Sequence, residues 1–427
     1  MICRTLTCRI MTCRIVICRI VTLVILTMTC VILLSCAAST AVAQAHAAPA
    51  SRATPESSPG HDPLVESGLD HFYNMDYDRA IQDFEKNLDR HPTDPAAVNH
   101  VLSTVLMREL YLMGAMNTGE YANDSFIGQA HRAADPEVKK QIKALVDRAE
   151  SLEENELKAN SSNVDAFYAR GVTRAQFALY TALIERAWVS ALRNAVGARR
   201  DHERVLELNP NYVDAKLVVG AHNYVMGSLP WSVKMAGAMV GLSGTKEKGF
   251  EYLREVANSS GENGVDAKVV LSLFLRREHR YDEARVYMHD LAARYPRNYL
   301  FPVEEANLLR SSGHASEAEV AYRKVWQNGR EGKYGNLHYE LAAWGLGELL
   351  RGQKDYWGAA AAYELVAQAP SPDPETLQNA NLAAGEMYDL LQKRDLAVRK
   401  YQAVLAENSG TPPAERARKH IREAYRE

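Results

Sequence analysis

The residues that could carry chemistry in this chain are scattered, and one pair has the spacing of a shared helix face. His279 and Glu283 are four residues apart, so on a helix they could hold a metal ion together. The same spacing is that of a solvated side-chain pair, and we interpret it so. The sequence has no Gly-x-x-x-x-Gly-Lys-Ser/Thr loop, no Gly-x-Ser-x-Gly elbow and no His-Glu-x-x-His motif. We therefore predict no catalytic residues, no metal and no cofactor, and a protein that is not an enzyme.

A small residue followed four positions later by a bulky one recurs through the second half of the sequence. The pairs are Ala284/Met288, Ala318/Tyr322, Ala359/Tyr363 and Ala397/Tyr401, at steps of 34, 41 and 38 residues. A further small residue precedes each alanine by twelve positions, as Ser272, Ala306, Gly347 and Gly385. Residues four apart share one face of a helix. The pattern therefore predicts paired helices that approach closely at the small residues, with the bulky side chains filling the space between hairpins.

These residues resemble the tetratricopeptide repeat, a helical hairpin with a period of about 34 residues. The resemblance implies an all-α fold, a right-handed superhelical α-solenoid of antiparallel hairpins, because one hairpin cannot bury its apolar face alone. The central part, roughly from Tyr180 to Val325 and with Glu207, Tyr224 and Lys248 among the matching residues, is similar to bacterial relatives of the Iml2-like tetratricopeptide family. Neither resemblance brings catalytic residues with it.

In tetratricopeptide proteins the first helix of each repeat lines a concave groove, and the resemblance carries that role onto particular residues. One groove position is arginine in three successive repeats, at Arg276, Arg310 and Arg351. The other groove residues that we predict are Trp344, Asn307 and Tyr224. Guanidinium groups beside apolar contacts suit a carboxylate-bearing protein or peptide segment. In the alternative interpretation the arginines pair with acids of neighbouring helices and only keep the groove solvated.

The first 43 residues predict an export signal. They carry four arginines, no acidic residue and all six cysteines, and Val21–Leu34 is an uninterrupted apolar or threonine run. The Ala-Val-Ala at 41–43 is a small-x-small cleavage site, whereas the Leu-Leu-Ser-Cys at 33–36 resembles a bacterial lipobox, which implies lipidation of Cys36. The sequence is compatible with ordinary signal cleavage and with lipidation. Residues 44–62 are rich in Ala, Pro and Ser and predict a flexible linker.

Removal of this signal would leave a chain without cysteine that has 46 basic and 53 acidic residues, a net charge of -7. A chain without cysteine suits an oxidising compartment, because it cannot form wrong disulfides. The mild acidity argues against a nucleic-acid partner. We therefore predict an exported protein in the periplasm or anchored at the outer membrane, in preference to a secreted one.

The folded part is predicted to occupy residues 63–427. A first repeat covers 63–95, enlarged repeats with insertions cover 96–264, regular repeats cover 265–411, and a capping helix covers 412–427. The insertion at 227–244 contains Trp231 and Met235. We interpret it as a buried turn that fills the solenoid, and the alternative is a short amphipathic element facing a membrane.

These features together predict a protein-protein interaction scaffold of the bacterial cell envelope. Its groove would capture a partner segment, which the arginines suggest is acidic, and Cys36 could add membrane association. The alternative is a solute- or lipid-binding periplasmic accessory of a transport system. That function would require a closed apolar pocket near Tyr224 and Trp231.

Overall fold

A computed structural model gives the fold of the protein over residues 62–116, 133–239 and 241–427. Across these residues the regular structure is helical and no β-strand occurs, which confirms the predicted all-α fold. The predicted export signal with Cys36, and the predicted linker up to residue 61, lie outside the described residues. None of the described helices combines the length and hydrophobicity that crossing a membrane requires.

The chain divides into two compact units, Met1–Glu278 and His279–Glu427, here called unit 1 and unit 2. The α-helices of unit 1 are α1 (Pro63–Tyr73), α2 (Tyr77–Arg90), α3 (Pro95–Leu112), α4 (Pro136–Ala159), α5 (Val164–Leu179), α6 (Trp188–Leu208), α7 (Lys216–Ser228), α8 (Trp231–Met239), α9 (Lys246–Ala257) and α10 (Gly264–Arg277). Those of unit 2 are α11 (Tyr281–Arg294), α12 (Leu300–Ser311), α13 (Ala315–Arg330), α14 (Leu341–Gly352), α15 (Tyr356–Val366), α16 (Pro374–Leu390), α17 (Arg394–Glu407) and α18 (Pro412–Arg422). In unit 2 each helix packs against the next one in the chain, as in a stack of hairpins.

An aspartate followed by proline starts four of these helices. The side chains of Asp62, Asp94, Asp135 and Asp373 each accept a hydrogen bond from a backbone N–H of the first helical turn, over 2.8 to 2.9 Å. The proline that follows has no N–H to leave unsatisfied, and its fixed φ suits the first position of a helix. The Asp-Pro dipeptides of the sequence therefore fix where α1, α3, α4 and α16 begin.

The turn that enters the second helix of a hairpin has the same backbone in five places. The residue two positions before α2, α11, α13, α15 and α17 is left-handed, with φ from 58° to 85°, at Met75, His279, Gly313, Lys354 and Gln392. Glycine adopts this conformation freely, whereas other residues do so at a cost of about 1 kcal/mol. His279, the possible metal ligand of the sequence, is therefore one member of a repeated structural turn.

Unit 1 is joined across its length by the loop and helix that follow α9. Tyr73, at the end of α1, donates its hydroxyl to Asp266 Oδ1 of α10 over 2.9 Å. Asn263, which precedes α10, donates its amide to the hydroxyl of Tyr168 on α5 over 2.8 Å. All four side chains are buried. Polar contacts therefore connect elements of unit 1 that are as far as 193 residues apart in sequence.

The insertion at 227–244 is partly buried and partly exposed. Met226 and Leu229, before α8, form a small buried cluster against which Leu242 packs. On α8 itself, Trp231 is 77% exposed and Met235 is 52% exposed. The interpretation of the insertion as a buried turn is therefore wrong for these two side chains, because they project from a short helix into solvent.

Candidate peptide-binding face of unit 2

The hairpins of unit 2 close around tyrosine rings that fit where the first helix has a glycine. A Cβ added at Gly347 would lie 2.4 Å from the ring of Tyr363, and one at Gly385 would lie 2.5 Å from the ring of Tyr401. Real Cβ atoms do not come so close, so the first helix needs glycine at both positions. Each ring comes from the second helix of its own hairpin, α15 or α17, and is buried.

The same fit occurs at the other end of the described chain. A Cβ at Gly68 would lie 2.5 Å from the ring of Phe84. In all three hairpins the ring stands sixteen residues after the glycine, and Ala306 and Tyr322 have the same separation. The repeats are of the tetratricopeptide type. The small and bulky residues that the sequence showed at fixed spacing are therefore the two halves of one packing contact.

The tyrosine hydroxyls reach polar side chains on the first helices. Tyr322 donates to Asn307 Oδ1 over 2.6 Å, and Tyr363 donates to Glu348 Oε1 over 2.6 Å. Tyr401 donates to Asp389 Oδ2 over 2.8 Å. We call the surface formed by Asn307, Arg310, Trp344, Glu348, Arg351, Glu386 and Asp389 the first-helix face. Hydrogen bonds from buried tyrosines therefore orient three polar side chains of this face.

The electrostatics of this face favour a fixed protonation state at the tyrosines. Burial raises the pKa of Tyr363 and of Tyr401, and the neighbouring carboxylates Glu348 and Asp389 raise each pKa further. Both hydroxyls therefore remain proton donors at any physiological pH. The repeat spacing alone does not indicate this role, although tyrosine in place of phenylalanine is a signal for it, since a buried hydroxyl needs a partner.

The predicted groove residues of unit 2 all lie on the first-helix face. Arg310 and Asn307 are on α12, Trp344 and Arg351 are on α14, and each is partly exposed. The Trp344 ring lies 5.3 Å from the ring of Tyr363. The guanidinium of Arg310 makes no ion pair or hydrogen bond with any residue in the described ranges. Arg310 is therefore available to a ligand from outside the chain.

Arg351 is already engaged. Its Nη1 lies 3.2 Å from Glu386 Oε2, an ion pair between adjacent first helices, and its Nη2 donates to the Tyr425 hydroxyl over 3.1 Å. Burial raises the pKa of Glu386, although Arg351 opposes that rise. The pair with Glu386 is the contact that the alternative interpretation of the arginines predicted.

The two other predicted groove residues belong to unit 1. Arg276 is a partly exposed residue of α10. The ring of Tyr224 stacks on Phe274 at 3.9 Å, its hydroxyl donates to Glu278 Oε1 over 2.9 Å, and the residue is 1% exposed. The prediction that Tyr224 lines an open groove is therefore wrong, because its side chain is part of the core. Trp231, which is exposed, does not line a closed pocket with it.

The possible metal ligands are occupied by other contacts. His279 Nδ1 lies 2.7 Å from the Tyr281 hydroxyl, and Glu283 accepts two hydrogen bonds from the guanidinium of Arg280, each of 2.6 Å. Over the described parts of the chain, no group of three or more His, Cys, Asp or Glu residues has the geometry to hold a metal ion. Cys36 lies outside those parts.

The residues after α18 contact the first-helix face. The helix predicted over 412–427 ends at Arg422, and the residues from Glu423 onward have no regular secondary structure, with Glu423 itself in an extended conformation. The N–H of Tyr425 donates to Asp389 Oδ2 over 2.8 Å, and the Tyr356 hydroxyl donates to Glu427 Oε2 over 3.0 Å. With the bond from Arg351 to the Tyr425 hydroxyl, this makes three anchors for a segment of five residues. Nothing in the sequence periodicity indicated this contact.

Comparisons with known proteins find helical-repeat structures at low identity. No protein-family model and no curated protein matches the chain. A structure described as a functional characterisation of Pseudomonas aeruginosa PilF is 15% identical and covers 59% of this chain and 97% of its own, with a TM-score of 0.35. A tetratricopeptide repeat protein of Parabacteroides merdae is 13% identical, with coverages of 74% and 97% and a TM-score of 0.31. The human IFIT1 dimer with m7Gppp-AAAA is 13% identical, with coverages of 84% and 82% and a TM-score of 0.39. TM-scores this low say nothing about what this chain binds.

Proposed function

We propose that the first-helix face of unit 2 binds an extended segment of a partner protein, and that the chain is a non-enzymatic scaffold for protein assembly in the cell envelope. The observation that supports this function is the segment 423–427, which lies against that face without regular secondary structure. Tyr425 contacts the face through its main-chain N–H and its hydroxyl, and Glu427 accepts a hydrogen bond from Tyr356 on the adjacent second helix α15. Extended peptides are commonly recognised in this way, with main-chain bonds giving affinity and side-chain contacts giving specificity.

The unpaired guanidinium of Arg310 favours a carboxylate on the partner. Arg310 is partly exposed and has no ion pair in the described residues, and a guanidinium binds a carboxylate through two parallel hydrogen bonds. Arg351 has one nitrogen on Glu386 and another on Tyr425 of the segment 423–427. Because the face also carries carboxylates, we propose a partner segment with an acidic residue placed at Arg310, and no nucleic-acid partner.

The proposed cellular location is based on the first 43 residues. We propose export to the periplasm, with anchoring at the outer membrane where Cys36 is lipidated. In the source organism, a Cys36→Ala variant should move from the membrane fraction to the soluble fraction. Unchanged retention in the membrane fraction would exclude a lipid anchor at this residue.

An aromatic photo-crosslinking amino acid in place of Trp344, a partly exposed aromatic residue of the first-helix face, tests the proposed function in the source organism. We expect a discrete crosslinked partner from this position, and we expect Arg310→Ala and Arg351→Ala to weaken the adduct. The matched control is the same amino acid at Val320, which is 67% exposed on the second helix α13. Identical adducts from both positions, or none from position 344, would contradict a binding role for the first-helix face.

A further inference from the structure

The segment 423–427 stands where the proposed partner would bind. We propose that it is a resident occupant of the first-helix face, and that the partner displaces it with an extended peptide carrying a tyrosine and, two positions later, an acidic residue. This inference rests on the proposed function of unit 2. It adds the chemistry of the partner and a means by which the chain restricts access to its own site.

The contacts of the segment define the recognition chemistry. Tyr425 and Glu427 are two residues apart, so in an extended chain their side chains point to the same side. Both side chains meet one hairpin: the Tyr425 hydroxyl accepts from Arg351 on α14, and Glu427 accepts from Tyr356 on α15. The spacing of these two anchors is therefore what a competing peptide must reproduce.

The third anchor is independent of sequence. Asp389 accepts from the main-chain N–H of Tyr425, and the same carboxylate accepts from the Tyr401 hydroxyl and from Arg394. Because the core and a second helix orient this carboxylate, it stays in place when the segment leaves. Any extended peptide could use it through a main-chain N–H.

Arg351 is likewise held by the protein itself. Its Nη1 stays on Glu386, and its guanidinium lies 5.9 Å from the centre of the Tyr425 ring, within cation-π range. Removal of the segment would therefore expose an oriented guanidinium with an aromatic-sized space beside it. A tyrosine of the partner would supply both the ring and the hydroxyl that Tyr425 supplies now.

The segment is held weakly enough to be displaced. None of its five residues is buried, and three of them are exposed. A short stretch held by a few partly exposed hydrogen bonds opens far more readily than a packed helix. The segment is covalently attached to the chain, so its effective concentration at the face is in the millimolar range. This attachment favours the segment over a free peptide.

A partner segment can form an ion pair with Arg310, which the segment 423–427 does not form. Arg310 lies on α12, whose neighbouring first helix α14 carries Arg351, and residues 423–427 make their hydrogen bonds beyond α18 with Arg351, Tyr356 and Asp389 and not with Arg310. A partner segment with a further carboxylate could reach both arginines. The additional ion pair would favour it over the resident segment.

The test uses the full chain and a fluorescein-labelled peptide that contains Glu-Ala-Tyr-Arg-Glu, measured by fluorescence anisotropy. The open variant is Tyr425→Ala with Glu427→Ala, which removes both side-chain anchors and leaves α18 intact. The matched control is Arg426→Ala, an exposed residue between them with no contact to the face in the described structure. A peptide with alanine in place of its tyrosine controls for non-specific binding.

We expect the open variant to bind the peptide at least tenfold more tightly than the unmodified chain or Arg426→Ala. Adding Arg351→Ala to the open variant should abolish this binding, while its circular dichroism spectrum at the assay temperature remains that of a folded helical chain. Equal affinity of the open and unmodified chains would overturn the displacement proposal, as would binding that survives Arg351→Ala. The crosslinking experiment identifies the partner separately from this assay. A crosslinked partner that binds the open variant and the unmodified chain equally would therefore refute only the proposal that the segment 423–427 occupies the site, and not the proposed function.

Discussion

The first hairpin of unit 1 and the hairpins of unit 2 use the same ring contact but differ in whether the ring carries a hydroxyl. In unit 2 the tyrosine hydroxyls carry polarity out of the core to Asn307, Glu348 and Asp389 on the first-helix face. In the first hairpin of unit 1 the equivalent ring is Phe84, which has no hydroxyl and stacks on His100 at 4.8 Å. The difference indicates that unit 2 presents an ordered polar surface and that unit 1 does not use this contact for that purpose.

Unit 1 instead keeps polar groups in its interior. Thr173 Oγ1 lies 2.8 Å from Asn99 Oδ1 and 2.5 Å from Glu153 Oε1, and all three residues are buried. The second carboxylate oxygen of Glu153 has no hydrogen-bond partner among the described residues. Burial raises the pKa of Glu153 to about 7, although the Thr173 hydrogen bond opposes the rise. An interior network of this kind specifies packing within unit 1, whereas in unit 2 Asn307 and Glu348 accept from the tyrosine hydroxyls and remain partly exposed.

The largest expected effect comes from adding a side chain at Gly347. We call this position a notch, because the missing Cβ leaves room for the ring of Tyr363. Gly347→Ala places a methyl group 2.4 Å from the buried Tyr363 ring, so the hairpin must separate or the ring must move. We expect the free energy of unfolding, measured by urea denaturation, to fall by about 3 kcal/mol.

The matched control is Gly352→Ala on the same helix, where an added Cβ would meet nothing within 4 Å and the backbone is not left-handed. This substitution should change the free energy of unfolding by less than about 1 kcal/mol, in the stabilising direction. Equal effects of the two substitutions would show that the ring contact does not hold the hairpin together.

A smaller effect, confined to unit 1, is expected from the buried Glu153. Its pKa is about 7 in the folded chain and 4.5 for an ordinary glutamate, so between these values the folded state binds more protons than the unfolded state. The free energy of unfolding therefore falls as pH rises through this window, and the stabilisation present below pH 4.5 is lost above pH 7. At pH 8 we expect Glu153→Gln to raise the free energy of unfolding by about 2 kcal/mol.

The gain from Glu153→Gln should vanish near pH 4.5, where the wild-type carboxyl is protonated and resembles the amide. The control is Asp147→Asn, an exposed residue six positions earlier on the same helix, which should leave the pH dependence nearly unchanged. Urea unfolding at a series of pH values measures both variants. A Glu153→Gln chain that is less stable than the wild type at pH 8 would mean that the buried charge is compensated.

Much of the fold was predictable because it depends on local patterns. The Asp-Pro helix starts and the small-to-bulky spacing are visible in the sequence, and both correspond to contacts in the structure. Arg310, Arg351, Trp344 and Asn307 could be placed on the first helices because the repeat fixes their register.

The rest depends on contacts that no period encodes. Tyr224 shares the repeat pattern but stacks on Phe274, so its burial follows from a neighbouring hairpin and not from its own position. The segment 423–427 has no periodicity, and its binding depends on side chains 36 to 74 residues away in sequence. The exposure of Trp231 follows from the short α8, which projects an apolar side chain that hydropathy alone would bury.

The smallest effects test whether the residue beside the notch decides between tyrosine and phenylalanine. The residue after the small one is Asn307 or Glu348 where the ring is Tyr322 or Tyr363, and it is Leu69 where the ring is Phe84. Leucine cannot accept a hydrogen bond, so a hydroxyl on Phe84 would be buried without a partner. We expect Tyr363→Phe to lower the free energy of unfolding by about 1 kcal/mol and Phe84→Tyr by somewhat more.

A double-mutant cycle separates this hydrogen bond from general effects of the two substitutions. If the residue beside the notch supplies the acceptor, Leu69→Asn should recover about 1 kcal/mol of the stability lost by Phe84→Tyr, although Leu69→Asn alone should not stabilise the chain. Urea unfolding of the wild type, both single variants and the double variant gives the coupling energy. Additive effects would show that the acceptor in unit 2 is incidental to the choice of ring. A positive coupling would mean that this single position converts a hairpin of the unit 1 kind into one of the unit 2 kind, because the hydroxyl and its acceptor are stable only together.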